Sequence, residues 1–207
     1  MFILQLLSDP IKALGFILGL LIGITVHEFM HAYVANYLGD PTARYQGRMT
    51  LNPIRHLDLW GTLLLLWVGF GWGKPVPINP SNFKNPRSGE LLTSLAGPLS
   101  NFITAFIFAL PLRFVEGTSL YHLFGLIIYI NLILCAFNLL PIPPLDGSKI
   151  LWIIFPQIDI YTFERMGIPI LFGLFFLSYL TGYSILGAII LPIVSFLARV
   201  IGAGGIF

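Results

Sequence analysis

The chain has 207 residues, 57% of them hydrophobic and only 10% charged, with a mean hydropathy of +0.88. Soluble domains carry roughly 45–50% apolar and about 25% charged residues, so the composition is that of a polytopic membrane protein. The formal charge of +2 is too small for a nucleic-acid binder, and the single cysteine, Cys135, excludes an internal disulfide or a thiolate metal cluster.

Five apolar segments of helical character are expected, in the order Ile11–Tyr37, Leu91–Leu112, Tyr121–Leu140, Gly167–Leu180 and Tyr183–Ile201. A transmembrane helix needs about 17–25 residues, so the fourth is short. Residues 1–12 lack a basic n-region, and the first apolar run should be retained rather than cleaved. Near the end of that run stands His27-Glu28-Phe29-Met30-His31, three ionisable side chains where each is costly in lipid. On a helix, His27 and His31 share one face and Glu28 lies about a quarter turn away. This is the HExxH arrangement, in which two imidazoles bind zinc and the carboxylate handles the proton of the attacking water.

Two stretches resist a helical reading. Gly61–Gly73 is apolar but too short to span, and Gly69, Gly71 and Gly73 alternate with larger residues before the proline-rich Lys74–Pro80. A re-entrant or interfacial β-hairpin is expected there, buried in protein or lining a wet cavity. Asn138–Gly147 (NLLPIPPLDG) is the second, where Pro141, Pro143 and Pro144 force an extended path.

The loops give an orientation. With five spans, nine of the eleven basic residues fall on one side, leaving only Lys12 and Arg113 on the other. Basic residues mark the cytoplasmic side, which puts the N-terminus outside, the C-terminus inside and HExxH in the cytoplasmic half of the bilayer.

Catalytic zinc usually takes three protein ligands and an open position. His122 lies at the opposite face, while His56 and Asp58 lie in the solvated loop. Asp146 follows the proline-broken segment at about the depth of His31. It can be read as the third ligand or as the N-cap of a helix starting near Gly147-Ser148, and the two roles are compatible. Asn138 can act on the reaction or satisfy backbone freed by the prolines. Asn101 is a helix-packing or binding-site polar residue, and Gly97-Pro98 permits close helix approach or a kink. A different class also uses intramembrane His and acidic groups, namely divalent-metal transporters. Glu28 discriminates, because a transporter has no need of a non-ligand base between two ligands.

HEFMH in the first span, Ala96-Gly97-Pro98-Leu99-Ser100-Asn101 in the second and NLLPIPPLDG after the third together resemble the site-2 protease family of intramembrane zinc metalloproteases. The resemblance covers roughly residues 15–155, and Leu51-Asn52-Pro53 to Gly61 is similar to the family's loop before a membrane-associated β-hairpin. It implies a single membrane-embedded metalloprotease domain over 1–207, all-α apart from that hairpin, in a minimal form without a PDZ-like or C-terminal regulatory domain. It implies one Zn2+ per chain on His27, His31 and Asp146, Glu28 as general base, and Asn138 as an oxyanion donor. The implied partner is a transmembrane protein, such as an anchored transcriptional regulator or anti-sigma factor, in a prokaryotic plasma membrane; homo-oligomerisation stays open. Asn101, Gly61, Gly69, Gly71 and Gly73 are candidates for holding the unwound substrate, with a plug over the site as the alternative role of the 61–79 segment.

Overall fold

The structure, a computed structural model, describes residues 9–68, 71–155, 157 and 159–206. Its elements are α1 (Pro10–Tyr37), α2 (Thr42–Tyr45), α3 (Leu59–Val68), α4 (Pro86–Ala109), α5 (Ser119–Asn138), α6 (Ser148–Ile154), α7 (Ile160–Thr181) and α8 (Ile185–Val200). The described residues contain no β-strand, only an isolated antiparallel bridge between Leu57 and Gly73.

Helix ends follow local capping chemistry. Asp9 accepts from the Ile11 and Lys12 amides with Pro10 just inside α1, and Asn85 accepts from the Ser88 amide with Pro86 just inside α4. The Asn85 cap is why α4 starts five residues before its apolar run. α7 also starts early, at Ile160, because Glu164 at its beginning meets Lys149 of α6 at 2.5 Å. It is therefore a 22-residue helix rather than the short segment expected.

Among the described residues four helices are long and apolar enough to cross a bilayer: α1, α4 with its extension to Phe114, α5, and α7 from Thr162. All five expected helices form, but α8 has 16 residues, about 24 Å at 1.5 Å per residue, against a hydrocarbon core of ~30 Å. Among the described residues four helices thus meet the length of a span, and the fifth expected span is not confirmed.

α1, α4 and α5 form the central bundle. Gly15, Gly19 and Gly23 repeat every four residues along α1 and face Leu126, Ile127, Ile130, Asn131 and Leu134 of α5. Small residues at this spacing let two backbones approach; a Cβ at Gly23 would fall 2.6 Å from Leu134. α8 lays the buried stripe Leu186, Ile190, Val194 and Ala198 against the α4–α5 side of this core. α7 is mostly exposed.

The expected β-hairpin near 61–80 is corrected. Leu59–Val68 is helical: the Asp58 carboxylate accepts from the Gly61 amide at 2.9 Å, the Thr62 hydroxyl donates to the Asp58 carbonyl, and four leucines follow, strong helix formers. The return chain runs back against this helix. Gly61 and Gly71 meet there, with no room for a Cβ on either. The segment is a short apolar helix followed by a return chain; Lys74–Asn79 carries neither helix nor strand, and Pro75, Pro77 and Pro80 bias Lys74, Val76 and Asn79 towards extended backbone.

Candidate metal centre

α1 carries His27 and His31 on its buried face, about 15 and 9 Å from its C-terminal end. α4 passes directly beneath them at Gly97, where a Cβ would lie 2.5 Å from His31 Nε2 and 2.6 Å from His27 Nε2. Pro98, next in line, lacks the N–H that would bond the Ser94 carbonyl. The turn after α5 brings in the third group. Gly147 N–H bonds the Asn138 carbonyl at 2.7 Å, closing the proline loop so that Asp146 faces α1. The first residue beyond that loop, Gly147, caps α6 without a side-chain bond, so Asp146 is not its cap.

The tautomers of both histidines follow from their partners. His31 Nδ1 lies 2.7 Å from the Thr93 carbonyl, which only accepts, so Nδ1 carries the proton. His27 Nδ1 lies 2.7 Å from Asn101 Oδ1. The Asn101 amide is oriented by its Nδ2, which donates to the Gly23 carbonyl at 3.0 Å, so His27 Nδ1 is also the donor. Both Nε2 atoms therefore present lone pairs. They lie 2.9 Å apart, and Asp146 Oδ2 sits 3.1 and 3.4 Å from them. Those spacings would make ion pairs if the rings were charged, yet Oδ2 is buried and makes no hydrogen bond.

Three proton-free donor atoms so close together repel one another unless a cation lies among them. Tetrahedral zinc with bonds of ~2.0–2.1 Å sets its ligand atoms about 3.3 Å apart, close to the observed triangle. Among the described residues this is the group of His, Cys, Asp and Glu side chains close enough to hold a metal. Two imidazoles and a carboxylate suit zinc and leave a position open.

These groups open onto a cavity of about 190 Å³, lined by His27, Glu28, His31, Ser94, Asn138 and Asp146 on one side and Pro75, Val76 and Ile78 on the other. The extended strap Lys74–Asn79 is tied at both ends. Lys74 donates to the His56 carbonyl at 2.8 Å and accepts from Arg48 Nη2 at 2.7 Å, while the Asn79 amide donates to Asp40 Oδ2 at 2.7 Å. At its centre the Val76 amide donates to Glu28 Oε2 at 2.8 Å. Burial alone would raise the Asp40 carboxyl, but bonds from the Thr42 hydroxyl and the Asn79 and Asn82 amides hold it below the usual carboxylate range.

The remaining sequence candidates separate clearly. Asn138 lines the cavity and spends one of its two amide protons on the Leu134 carbonyl at 2.9 Å. Of the two roles open to Asn101, the structure supports packing: it is fully buried behind His27 and does not line the cavity. Gly61, Gly71 and Gly73 do not line it either; Gly61 and Gly71 admit backbone within the 61–72 segment, and Gly73 packs against the His56 carbonyl and the Ile24 side chain. Gly69 lies outside the described residues. His56 is buried on the Thr50 carbonyl, Asp58 caps α3, and His122 packs edge-on to Tyr121. The sequence reading missed the Thr93 carbonyl and Asn131. An asparagine at the middle of the apolar run Tyr121–Leu140, seven residues before Asn138, is the available signal.

The chain matches the profile of Peptidase family M50 over residues 15–122 and 115–180. The chain belongs to peptidase family M50. It is 50% identical over 145 residues, 65% of its length, to the Bacillus subtilis protein named "Putative zinc metalloprotease YwhC". To the similarly named MJ0611 of Methanocaldococcus jannaschii it is 36% identical over 135 residues, 62% of its length. It is also 29% identical over 133 residues to zinc metalloprotease MJ0392 of the same archaeon, 64% of this chain but 32% of that one. The matched part spans 66% and 64% of the first two relatives, just under two thirds of each. No solved structure matches. The zinc in the relatives' names agrees with the His27, His31 and Asp146 donor set of this M50 member.

Proposed function

We propose that the chain is an intramembrane zinc metalloendopeptidase that hydrolyses a peptide bond within or near a transmembrane segment of a membrane-anchored protein. The observation that carries this reading is the convergence of His27 Nε2, His31 Nε2 and Asp146 Oδ2 in a cavity that Glu28 also lines. These three residues would hold one Zn2+ per chain. When bound there, zinc supplies Lewis acidity, which acidifies water and stabilises negative charge developing on a carbonyl oxygen. Glu28 takes a proton from the attacking water and passes it to the leaving nitrogen as the C–N bond breaks, so one water is added across the peptide bond. The Val76 amide orients the Glu28 carboxylate for this, and Asn138 has a second amide proton for the oxyanion.

A helical substrate shields its peptide bonds and must unwind locally. Val76–Ile78 supports an edge-pairing role, since it is extended and borders the cavity. Pro75 and Pro77 have no N–H and the Val76 N–H is given to Glu28, so the donor left on this edge for a substrate strand is the Ile78 N–H. We place the loops after α1 and α5 on the cytoplasmic side of a prokaryotic plasma membrane, because Arg44, Arg48, Arg55, Lys74, Lys84 and Lys149 lie in them or just beyond. A cytoplasmic C-terminus needs α8 to cross as well, and its 16 residues reach about 24 Å, so this placement requires a locally thinned bilayer. The partner is a membrane-anchored regulator, such as an anti-sigma factor.

The test is Glu28→Gln in detergent. It is expected to retain about one zinc per chain and to lose cleavage, and proteomics of membrane fragments against active protein then names the substrate. Loss of the metal with metal transport intact would favour a transporter and overturn the protease reading.

A further inference from the structure

Asn131 lies in the middle of α5, fully buried in an otherwise apolar run, and does not line the cavity. A buried amide costs free energy unless its hydrogen bonds are made. Here its Nδ2 donates to the Ile127 carbonyl of its own helix at 2.9 Å and to the Gly19 carbonyl of α1 at 3.3 Å. Backbone carbonyls only accept, so these two contacts fix which end of the amide is nitrogen. Asn131 Oδ1 is thereby turned to Asn101 Nδ2, 3.1 Å away. The two protons of Asn101 Nδ2 are spent on Asn131 Oδ1 and the Gly23 carbonyl, which leaves Asn101 Oδ1 to accept from His27 Nδ1 at 2.7 Å.

We propose that Asn131 is a positioning residue for the metal centre, acting through Asn101 to hold His27 in the tautomer whose Nε2 is free to bind metal. The inference rests on the zinc-site reading above. If Asn101 flipped, its Nδ2 would face His27 Nδ1, and the ring would move its proton to Nε2, where it blocks coordination. The flip is opposed by two acceptors, the Gly23 carbonyl and Asn131 Oδ1, and Asn131 Oδ1 is itself locked by two carbonyls of different helices. The relay crosses α5, α4 and α1, and Gly23 makes room for it: a Cβ there would lie 3.1 Å from Asn131 Oδ1. Outer partners of metal-bound histidines typically change metal affinity by about 10–100-fold.

The simpler role, interhelical glue, predicts an effect on stability alone. Full-length Asn131→Leu and Asn131→Ser, the latter small and able to bond its own helix, are compared with wild type in detergent. Zinc affinity is read by chelator competition, the ligand set by the visible spectrum of the cobalt form, and folding by thermal unfolding of the metal-free protein. Both variants are expected to bind zinc roughly ten-fold more weakly with an altered cobalt spectrum, whatever their stability. In an Asn101→Asp background, where the carboxylate has no amide to flip, Asn131→Leu is expected to change zinc affinity less than about two-fold. Wild-type zinc affinity and spectrum in both single variants would overturn the proposal and leave Asn131 as packing. Failure of the underlying reading shows differently: wild-type protein would then bind no zinc, or Asp146→Asn would bind it unchanged.

Discussion

The backbone of Gly97 lies so close to the imidazole of His27 that a Cβ on it would stand 2.6 Å from Nε2 and from Cε1. The ring cannot swing clear, because its Nδ1 is held by Asn101 and the ring of His31, equally close to Gly97, is held by Thr93. The glycine is therefore a condition for two histidines to point at one spot. Gly97→Ala is expected to leave the helices intact, since alanine favours helix, and to displace the imidazoles. Overpacking of this kind costs about 1–3 kcal/mol, roughly ten- to hundred-fold in zinc affinity. Zinc content after dialysis against a graded chelator series measures it, and full retention would mean that the rings have more freedom than their bonds suggest.

Asp146 separates a ligand role from a capping role cleanly, because α6 starts at Ser148 with no side-chain cap. Asp146→Asn keeps the shape and removes the charge. Zinc occupancy is expected to fall sharply while the unfolding temperature of the metal-free protein stays within a few degrees, the scale of ~1 kcal/mol or less. A fall in apoprotein stability with full zinc occupancy would reverse the assignment.

Much of this was legible in the sequence, for reasons that differ by residue. His27, Glu28 and His31 are read from helical periodicity alone, and the polarity of three such residues in an apolar run makes them conspicuous. Asp146 is readable because prolines stop a helix and topology then fixes its depth. For Asn101 the sequence leaves helix packing and a binding role open, because an asparagine's partners lie on other helices and only packing decides whether it faces a cavity or His27. Leu59–Val68 is harder to read, because alternating glycines downstream point to a strand, whereas the Asp58 cap and the leucines make a helix and Gly71 serves a close approach to Gly61. The length of α7 depended on Glu164 meeting Lys149, a long-range ion pair that periodicity cannot show.

The strap over the cavity is held at one end by Asp40, whose carboxyl is kept below the usual carboxylate range by the bonds described above. A depressed folded pKa means that the stabilisation is present above the unfolded value, 3.8, and is lost as pH falls through the folded one. The strap is thus expected to stay anchored from neutral pH down to about pH 4 and to loosen below it. Hydrogen exchange of the Asn79 backbone amide as a function of pH measures this. Asp40→Asn should bring the loosening to neutral pH, and equal protection in that variant would show that Arg48 and His56 suffice to hold the strap.

α7 meets the bundle through few contacts, and two of them lie at its beginning. Gly167 packs on Pro143 with no room for a Cβ, and Glu164 shares the Lys149 ammonium with Glu90 of α4, which lies 2.7 Å from it. Burial pushes the Lys149 ammonium down, but the two carboxylates outweigh it and hold its pKa above 10.5. A raised folded pKa means that the stabilisation is fully present below the unfolded value and is lost only as pH rises through the folded one, so the bridge is intact at any physiological pH. Lys149→Met leaves both carboxylates without their cation, and Glu90 is the more enclosed. The expected cost is about 1–3 kcal/mol, together with faster proteolysis of the chain between α6 and α7. The double variant Lys149→Met/Glu90→Gln removes the stranded charge and should recover part of that loss, as replacement of a whole pair does where removal of one partner does not. If the double variant is as unstable as the single one, Lys149 holds α7 through its stem packing on Trp152 (its ammonium lies 6.0 Å from that ring) rather than through its charge.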